Sequence, residues 1–372
     1  MKRPNQVSVL ILDGGEGLFP KVLHCLSQER NVSIHALTDK INLHYRFSRY
    51  VRSLACYPKD VEDSELLEVI RKLHEKKGFQ LLLPVDDKMI RFVCNWEKSL
   101  KKFVRLPLLP SIDSITLVSN KIEFARYLEA HRISGPEFQV LTEPFSSKNL
   151  KISYPLLSKP YTENESGSGK GIQLFKCSEE VDFLSSKNQG NRKTFFVQKY
   201  VDGTDVDCSV LCFNGEILEY TIQTPTLPGK SEFSPHFGVR LIQDDEVLAV
   251  TRRLMKSLNW SGVAHIDLRY DKTQGDVKVI EVNGRFWASL EASLYGGMNF
   301  PYLYIQHSLK NEMASSGYKE IEFFNLRGTL KKIKSNPFFL VNFPRLWKVS
   351  PIKFIVKDPL PWIVGFRKRL LK

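Results

Sequence analysis

The sequence predicts an α/β unit built on a parallel sheet, followed by an α+β unit of antiparallel sheets that carries a glycine-rich flap. Three observations predict it. Short apolar runs alternate with helical periodicity over the first hundred residues. From Asn120 onward, apolar runs follow one another through tight polar turns such as Asn214-Gly215, a strong hairpin signal. A glycine-rich stretch, 166–171, separates two of those runs. The 372 residues suffice for two or three domains, and 42% hydrophobic with 26% charged residues excludes global disorder.

In the first unit, Val7-Ser8-Val9-Leu10-Ile11-Leu12 reads as a buried strand, 18–28 as a helix and 32–36 as a second strand. A helix over 64–77 then leads to the strand Phe79-Gln80-Leu81-Leu82-Leu83, closed by Pro84. Met1-Lys2-Arg3 before the first apolar run imitates a signal peptide, but Asp13 and Gly14 interrupt the run after six residues. No stretch reaches the roughly 18 apolar residues of a membrane-spanning helix, so the expectation is a cytoplasmic protein. Ligand loops leave parallel sheets at the carboxyl ends of strands, which singles out Asp13-Gly14-Gly15-Glu16-Gly17 and Pro84-Val85-Asp86-Asp87. Pro20 stands where the third glycine of a dinucleotide fingerprint belongs, which argues against NAD.

In the second unit, Ile122, Ala125, Leu128 and Ile133 share a helical face ending at Ser134-Gly135-Pro136. Strands follow at 155–159, 171–175, 194–199, 205–213 and 216–224, then a helix with Val247, Thr251, Leu254 and Leu258 on one face, then strands at 263–270 and 276–282. Cysteines 25, 56, 94, 177, 208 and 212 form no CxxC pair, so neither a zinc ribbon nor a disulfide framework fits, and buried thiols are expected.

Two constellations carry chemistry. Lys159 ends a strand, and Ser166-Gly167-Ser168-Gly169-Lys170-Gly171 supplies backbone amides for a phosphate, or forms an ordinary exposed turn. It is not a P-loop, because Asn164 replaces the first glycine and Gly171 the hydroxyl residue. In the second constellation, Asp267 lies on one strand and Glu281 and Asn283 lie on the next, two apart and therefore on one face. Three hard oxygen ligands suit Mg²⁺, with Arg285 beside them to stabilise charge on a transferring phosphoryl group; solvated carboxylates are the alternative. Arg240 and the acids of the two first-unit loops stay unassigned, and His236 and His265 read as packing or hydrogen-bonding residues.

Together these residues resemble the ATP-grasp superfamily, in its carboxylate-amine ligase branch, over about residues 10–310. The resemblance implies a Rossmann-like pre-ATP-grasp domain over 1–112 and an ATP-grasp domain of antiparallel sheets over 113–315, with its flap at about 150–200 and a basic appendage over 316–372. On that pattern Lys121 and Lys159 bind phosphates, with Ser166, Gly167, Ser168 and Gly169 in the flap. Backbone groups near Lys199 and Val201 read adenine, Gln198 accepts from its amino group through the amide oxygen, and Asp205 takes the ribose hydroxyls. Asp267, Glu281 and Asn283 hold Mg²⁺ or Mn²⁺, and Arg285 is catalytic. The implied activity joins a small-molecule carboxylate, activated by ATP as an acyl phosphate, to an amine, releasing ADP and phosphate. A bicarbonate-activating carboxylase and a non-catalytic nucleotide-binding scaffold are the alternatives. Three departures stand out: Gln198 and Asp205 where glutamates are usual, and Gly284 for the proline of Asn-Pro-Arg, expected to loosen the backbone that aims Arg285.

The formal net charge is +13, and residues 327–372 hold +11 of it, with twelve basic residues and one acid, Asp358. Phe338, Phe339, Phe343, Trp347, Phe354, Trp362 and Phe366 interleave with those charges. A small subdomain packed on the body by its aromatics is one reading. Basic residues among aromatics also suit an anionic membrane surface or a nucleic-acid backbone, of which a peripheral membrane anchor is the second reading and nucleic acid is not expected.

Overall fold

The computed structural model describes residues 6–142, 145–159, 171–187, 194–231, 233–311, 317–338 and 343–370. Strands β1 (Val7–Asp13), β2 (Val32–Thr38), β3 (Val51–Cys56) and β4 (Leu81–Pro84) form a parallel sheet in the order β3-β2-β1-β4. Both faces of β1 are buried, as its unbroken apolar run requires. Val9 and Ile11 pack under α1 (Phe19–Leu26), while Leu10 and Leu12 face α2 (Asp63–Lys77) and α3 (Asp87–Asn95), which the short α4 (Glu97–Leu100) follows. Asp86 caps α3 by accepting from the Met89 amide, and its other oxygen accepts from the Gly14 amide at 2.5 Å. The two loops expected to bind ligand are therefore tied to each other.

Helices α5 (Ile112–Ser119) and α6 (Lys121–Ala130) lead into the second unit. Asn120 caps α6, accepting from the amides of Ile122 and Glu123, which fixes Lys121 at the first helical position. Ile133 lies beyond α6: Arg132 adopts a φ of 54°, and this reversal returns Ile133 to the same core. β5 (Phe138–Thr142), β6 (Leu156–Lys159), β7 (Gln173–Phe175) and β8 (Thr194–Lys199) make an antiparallel sheet ordered β5-β8-β6-β7, with α7 (Ser178–Lys187) between β7 and β8 in sequence.

The larger antiparallel sheet contains β9 (Gly203–Phe213), β10 (Glu216–Leu227) and β11 (Gly238–Ile242), then, after α8 (Asp245–Ser257), β12 (Gly262–Asp271) and β13 (Val277–Asn283). Asn214 and Gly215 both take positive φ at the β9–β10 turn, as expected of a two-residue hairpin. After α9 (Leu290–Tyr295) and α10 (Phe300–Ser308), β14 (Glu322–Phe324) pairs with β11 and completes the order β13-β12-β9-β10-β11-β14 among the described residues. That strand lies inside the segment read as the appendage.

One core joins the units: Val9 and Ile11 of the parallel sheet share a cluster with Leu211, Val263, Phe286, Trp287 and Phe300. The loop after β13 is thereby held against the carboxyl end of β1. Helices α11 (Leu326–Ser335), α12 (Phe343–Val349), α13 (Ile352–Lys357) and α14 (Pro359–Leu370) follow. They pack on the body, as one reading of the tail expects. Phe354 stacks on His24 at 4.2 Å between ring centroids, and buried Asp358 accepts from Ser48 Oγ at 2.5 Å and the Arg49 amide at 3.1 Å. Among the described residues no helix is long and apolar enough to cross a membrane.

Candidate active site

Strand register brings the expected carboxylates together. Asp267 on β12 stands directly opposite Glu281 on β13, and His265 opposite Asn283. Asn283 Nδ2 lies 3.4 Å from Asp267 Oδ2, and Arg285 Nη2 lies 3.3 Å from Asn283 Oδ1. Burial pushes the Asp267 carboxyl well above its ordinary range, and the neighbouring Asp207 and Glu281 carboxylates push it further. Lys121 Nζ approaches Glu281 Oε2 at 3.9 Å, so the start of α6 and the end of β13 meet at one point. Arg285 also pairs with Glu16 of the first unit, Nε to Oε2 at 3.5 Å. Burial raises the Glu16 carboxyl against the lowering effect of Arg285.

Beside this cluster lies a narrow cleft lined by Val118, Lys121, Phe124, Lys159, Gln198 and Glu281, among others. Lys159 is buried, and its ammonium donates to Gln198 Oε1 at 2.7 Å. Burial draws its pKa down to about 8, opposed by Glu281 and assisted by Lys121. The amide oxygen expected to take an adenine amino group thus already carries a Lys159 hydrogen bond. At the hinge, the Val201 carbonyl accepts from Arg269 Nε at 2.7 Å, and the Lys199 amide donates to the Glu137 carbonyl at 2.8 Å. Asp205, expected at the ribose, is held by Arg269 and lies 3.4 Å from His236 Nε2. Burial alone would raise its carboxyl, but those two partners hold it below the ordinary value. Ser166, Gly167, Ser168 and Gly169 lie outside the described residues.

Gly284 sits against an indole. A Cβ there would stand 2.8 Å from Cη2 of the fully buried Trp260 ring, so the glycine makes room for an indole that supports the backbone before Arg285. The sequence reading also missed Asp207, opposite Asp267 on β9, and set His265 aside. Burial pushes Asp207 up to about 6 and His265 down to about 3. The available signal for Asp207 was its spacing: it lies two residues from Asp205, on the same strand face.

The parallel sheet followed by two antiparallel sheets is the layout of the ATP-grasp fold. A family described as ATP-grasp in the biosynthetic pathway with Ter operon matches residues 191–325. The resemblance read from the sequence is thereby supported independently, and the chain has the ATP-grasp fold. Among particular relatives, a carbamoyl-phosphate synthase of Methanobrevibacter smithii is 22% identical over 55% of this chain and 56% of its own length. A D-aspartate ligase of Enterococcus faecium is 19% identical over 68% of this chain and 65% of its own. The chain therefore spans less than two thirds of either curated relative. Among solved structures, an N5-carboxyaminoimidazole synthetase of Staphylococcus aureus complexed with ADP shares the fold, with a TM-score of 0.66 and 14% identity over 91% of this chain and 87% of that one.

Proposed function

We propose that the protein is an ATP-dependent ligase that joins a small-molecule carboxylate to an amine. The observation that carries this is the convergence of Lys121, Lys159, Gln198 and Glu281 on one cleft, with Asp267, Asn283 and Arg285 at its edge. The D-aspartate ligase relative and the ADP-bound structural neighbour support it. The domains follow the division 1–112, 113–315 and 316–372, except that β14 of the last segment belongs to the larger sheet of the second.

The residues present fit a bound divalent cation. Asp267 and Glu281 face each other at one register position, and their mutual repulsion raises Asp267, which a cation between them would relieve. Mg²⁺ or Mn²⁺ held by Asp267, Glu281 and Asn283 would neutralise phosphate charge. Lys121 and Lys159 hold phosphate oxygens, and the hinge around Gln198, Lys199, Val201 and Asp205 holds the nucleoside. The substrate carboxylate oxygen attacks the γ-phosphorus, and the bond from that phosphorus to the bridging oxygen breaks with its electrons on ADP. Arg285 stabilises the charge on the transferring group. The amine nitrogen then attacks the acyl carbon, the carbon–oxygen bond to phosphate breaks with its electrons on the phosphate, and the nitrogen's proton passes to that departing phosphate.

A matrix of carboxylates against amines, with bicarbonate included, scored by ADP release and mass detection of product, tests the reading. ADP release that needs both a carboxylate and an amine supports it. Release with bicarbonate alone would assign a carboxylase, and no stimulated release across the matrix would assign a scaffold.

A specific observation favours a further reading for the tail, that of a cytoplasmic protein held at an anionic membrane surface. Phe338, Val356, Leu360, Ile363 and Phe366 are each more than half exposed, within the segment that carries +11. Apolar side chains facing water among basic residues suit an interfacial surface.

A further inference from the structure

Next to the carboxylates assigned above, three ligand atoms on two strands meet without any of Glu281, Asn283 or Arg285. Asp207 Oδ2, His265 Nε2 and Asp267 Oδ1 belong to a group whose ligand atoms all lie within 4.8 Å of one another. His265 Nε2 stands 3.4 Å from Asp267 Oδ1 and 3.8 Å from Asp207 Oδ2. Bonds of about 2.0–2.2 Å to a shared metal put neighbouring ligands roughly 3–4 Å apart, so these spacings need little adjustment.

The sheet builds this triangle. Asp207 on β9 is directly opposite Asp267 on β12, and Ser209 is directly opposite His265. Two carboxylates at one register position repel, a destabilising pair in a sheet unless a cation lies between them. Two of the three residues have an outer partner, and Asp207 Oδ2 keeps a lone pair for a cation beside the hydrogen bond that it accepts. Gln223, opposite Asp207 on β10, donates to Asp207 Oδ2 at 2.8 Å. Ser209 Oγ and His265 Nδ1 are 2.9 Å apart, and the imidazole stacks on Trp287 at 5.5 Å with 8° between planes. Such outer partners fix ring orientation in imidazole metal sites.

We propose that Asp207, His265 and Asp267 form a second divalent-cation seat, sharing Asp267 with the oxygen-only seat and preferring a transition dication such as Mn²⁺ over Mg²⁺. The preference follows from the nitrogen ligand: Mg²⁺ takes oxygen donors and water, whereas first-row transition dications accept imidazole. This seat does not depend on ligase activity, so its failure and that of the ligase reading are separable.

The test uses the full chain and Mn²⁺ alone, with no nucleotide, and follows binding by electron paramagnetic resonance with detection of ¹⁴N coupling. Bound Mn²⁺ is expected to show imidazole nitrogen coupling that survives Asn283→Ala. His265→Ala should remove that coupling, and both His265→Ala and the near-isosteric Asp207→Asn should weaken binding by about 10- to 100-fold. A tenfold excess of Mg²⁺ should leave the coupled signal in place. Bound Mn²⁺ without nitrogen coupling, coupling that persists in His265→Ala, or no binding at millimolar Mn²⁺ would each overturn the proposal. Circular dichroism of Asp207→Asn separates a lost ligand from a lost fold.

Discussion

Lys159 Nζ donates to the neutral amide oxygen of Gln198 at 2.7 Å, and both side chains are buried. A carboxylate in place of that amide would hold the ammonium charged. Here burial brings the Lys159 pKa from 10.5 down to about 8. The group is a base with a depressed pKa, so it is charged below about 8 and loses its charge as pH rises through that value. Affinity for Mg·ATP should therefore fall between pH 7.5 and 9 in the wild type. Gln198→Glu should move that decline upward by a unit or more. Titration of nucleotide binding at several pH values checks this, and identical profiles for the two proteins would remove Lys159 from the phosphate site.

Glu281→Gln and Asn283→Ala should each abolish Mg·ATP-dependent turnover. Stability should respond differently. Glu281→Gln removes the repulsion with Asp267 together with the attraction to Lys121 and Lys159, so the melting temperature should change little. Turnover with calorimetry on the same samples reads both. Wild-type turnover in the double variant would defeat the metal assignment.

Gly284 and Trp260 form a packed pair, with a would-be Cβ 2.8 Å from the indole. Gly284→Ala should cost about 1–3 kcal/mol by overpacking. In a Trp260→Phe background the same change should cost less, because the smaller ring vacates the contact, and a double-mutant cycle measures the coupling. Strictly additive effects would mean that the loop moves away from the indole instead.

The same pair shows what the sequence can and cannot disclose. Period-two and period-3.6 patterns in buried runs such as 7–12 and 247–258 report burial directly, so β1, α8 and the β9–β10 hairpin were legible. Glu281 and Asn283 were legible because two-residue spacing fixes a common face. Asp207 was legible only as a neighbour of Asp205 on one strand face; its place opposite Asp267, sixty residues later, depends on register, which local pattern does not encode. The neighbour of Gly284 was hidden for the same reason: Trp260 lies across a hairpin, and only tertiary contact brings the two together. The hydrogen bond between Lys159 and Gln198 joins separate strands of the smaller sheet, so its effect on Lys159 was equally hidden.

Asp358 latches the C-terminal helices to the first unit through Ser48 Oγ and the Arg49 amide. Asp358→Ala leaves both donors without this acceptor and should cost about 1–3 kcal/mol. Amide hydrogen exchange should rise across α13 and α14 while the sheets stay protected. Asp358→Asn, which keeps an acceptor oxygen, should lose less. Unchanged exchange in α13 and α14 would show that the stacking of Phe354 on His24 suffices to hold them.

The membrane reading rests on two properties of the tail, apolar exposure and charge, and they predict different outcomes. Phe338 is 80% exposed and Phe366 64%, whereas Phe354 and Leu346 are buried, so an outward face can be altered without touching the inward one. Attraction to an anionic leaflet is about 1 kcal/mol per nearby Lys or Arg and is screened by salt, whereas insertion of apolar side chains is not. Full-length protein should co-sediment with vesicles containing phosphatidylserine at low salt and release partly as salt rises. Replacing Phe338, Ile363 and Phe366 together by Ser should make the remaining binding fully salt-reversible, with the melting temperature nearly unchanged because all three side chains already face water. Equal binding to neutral vesicles would rule out the electrostatic part, and no binding to either would leave the appendage as a structural cap on the first unit.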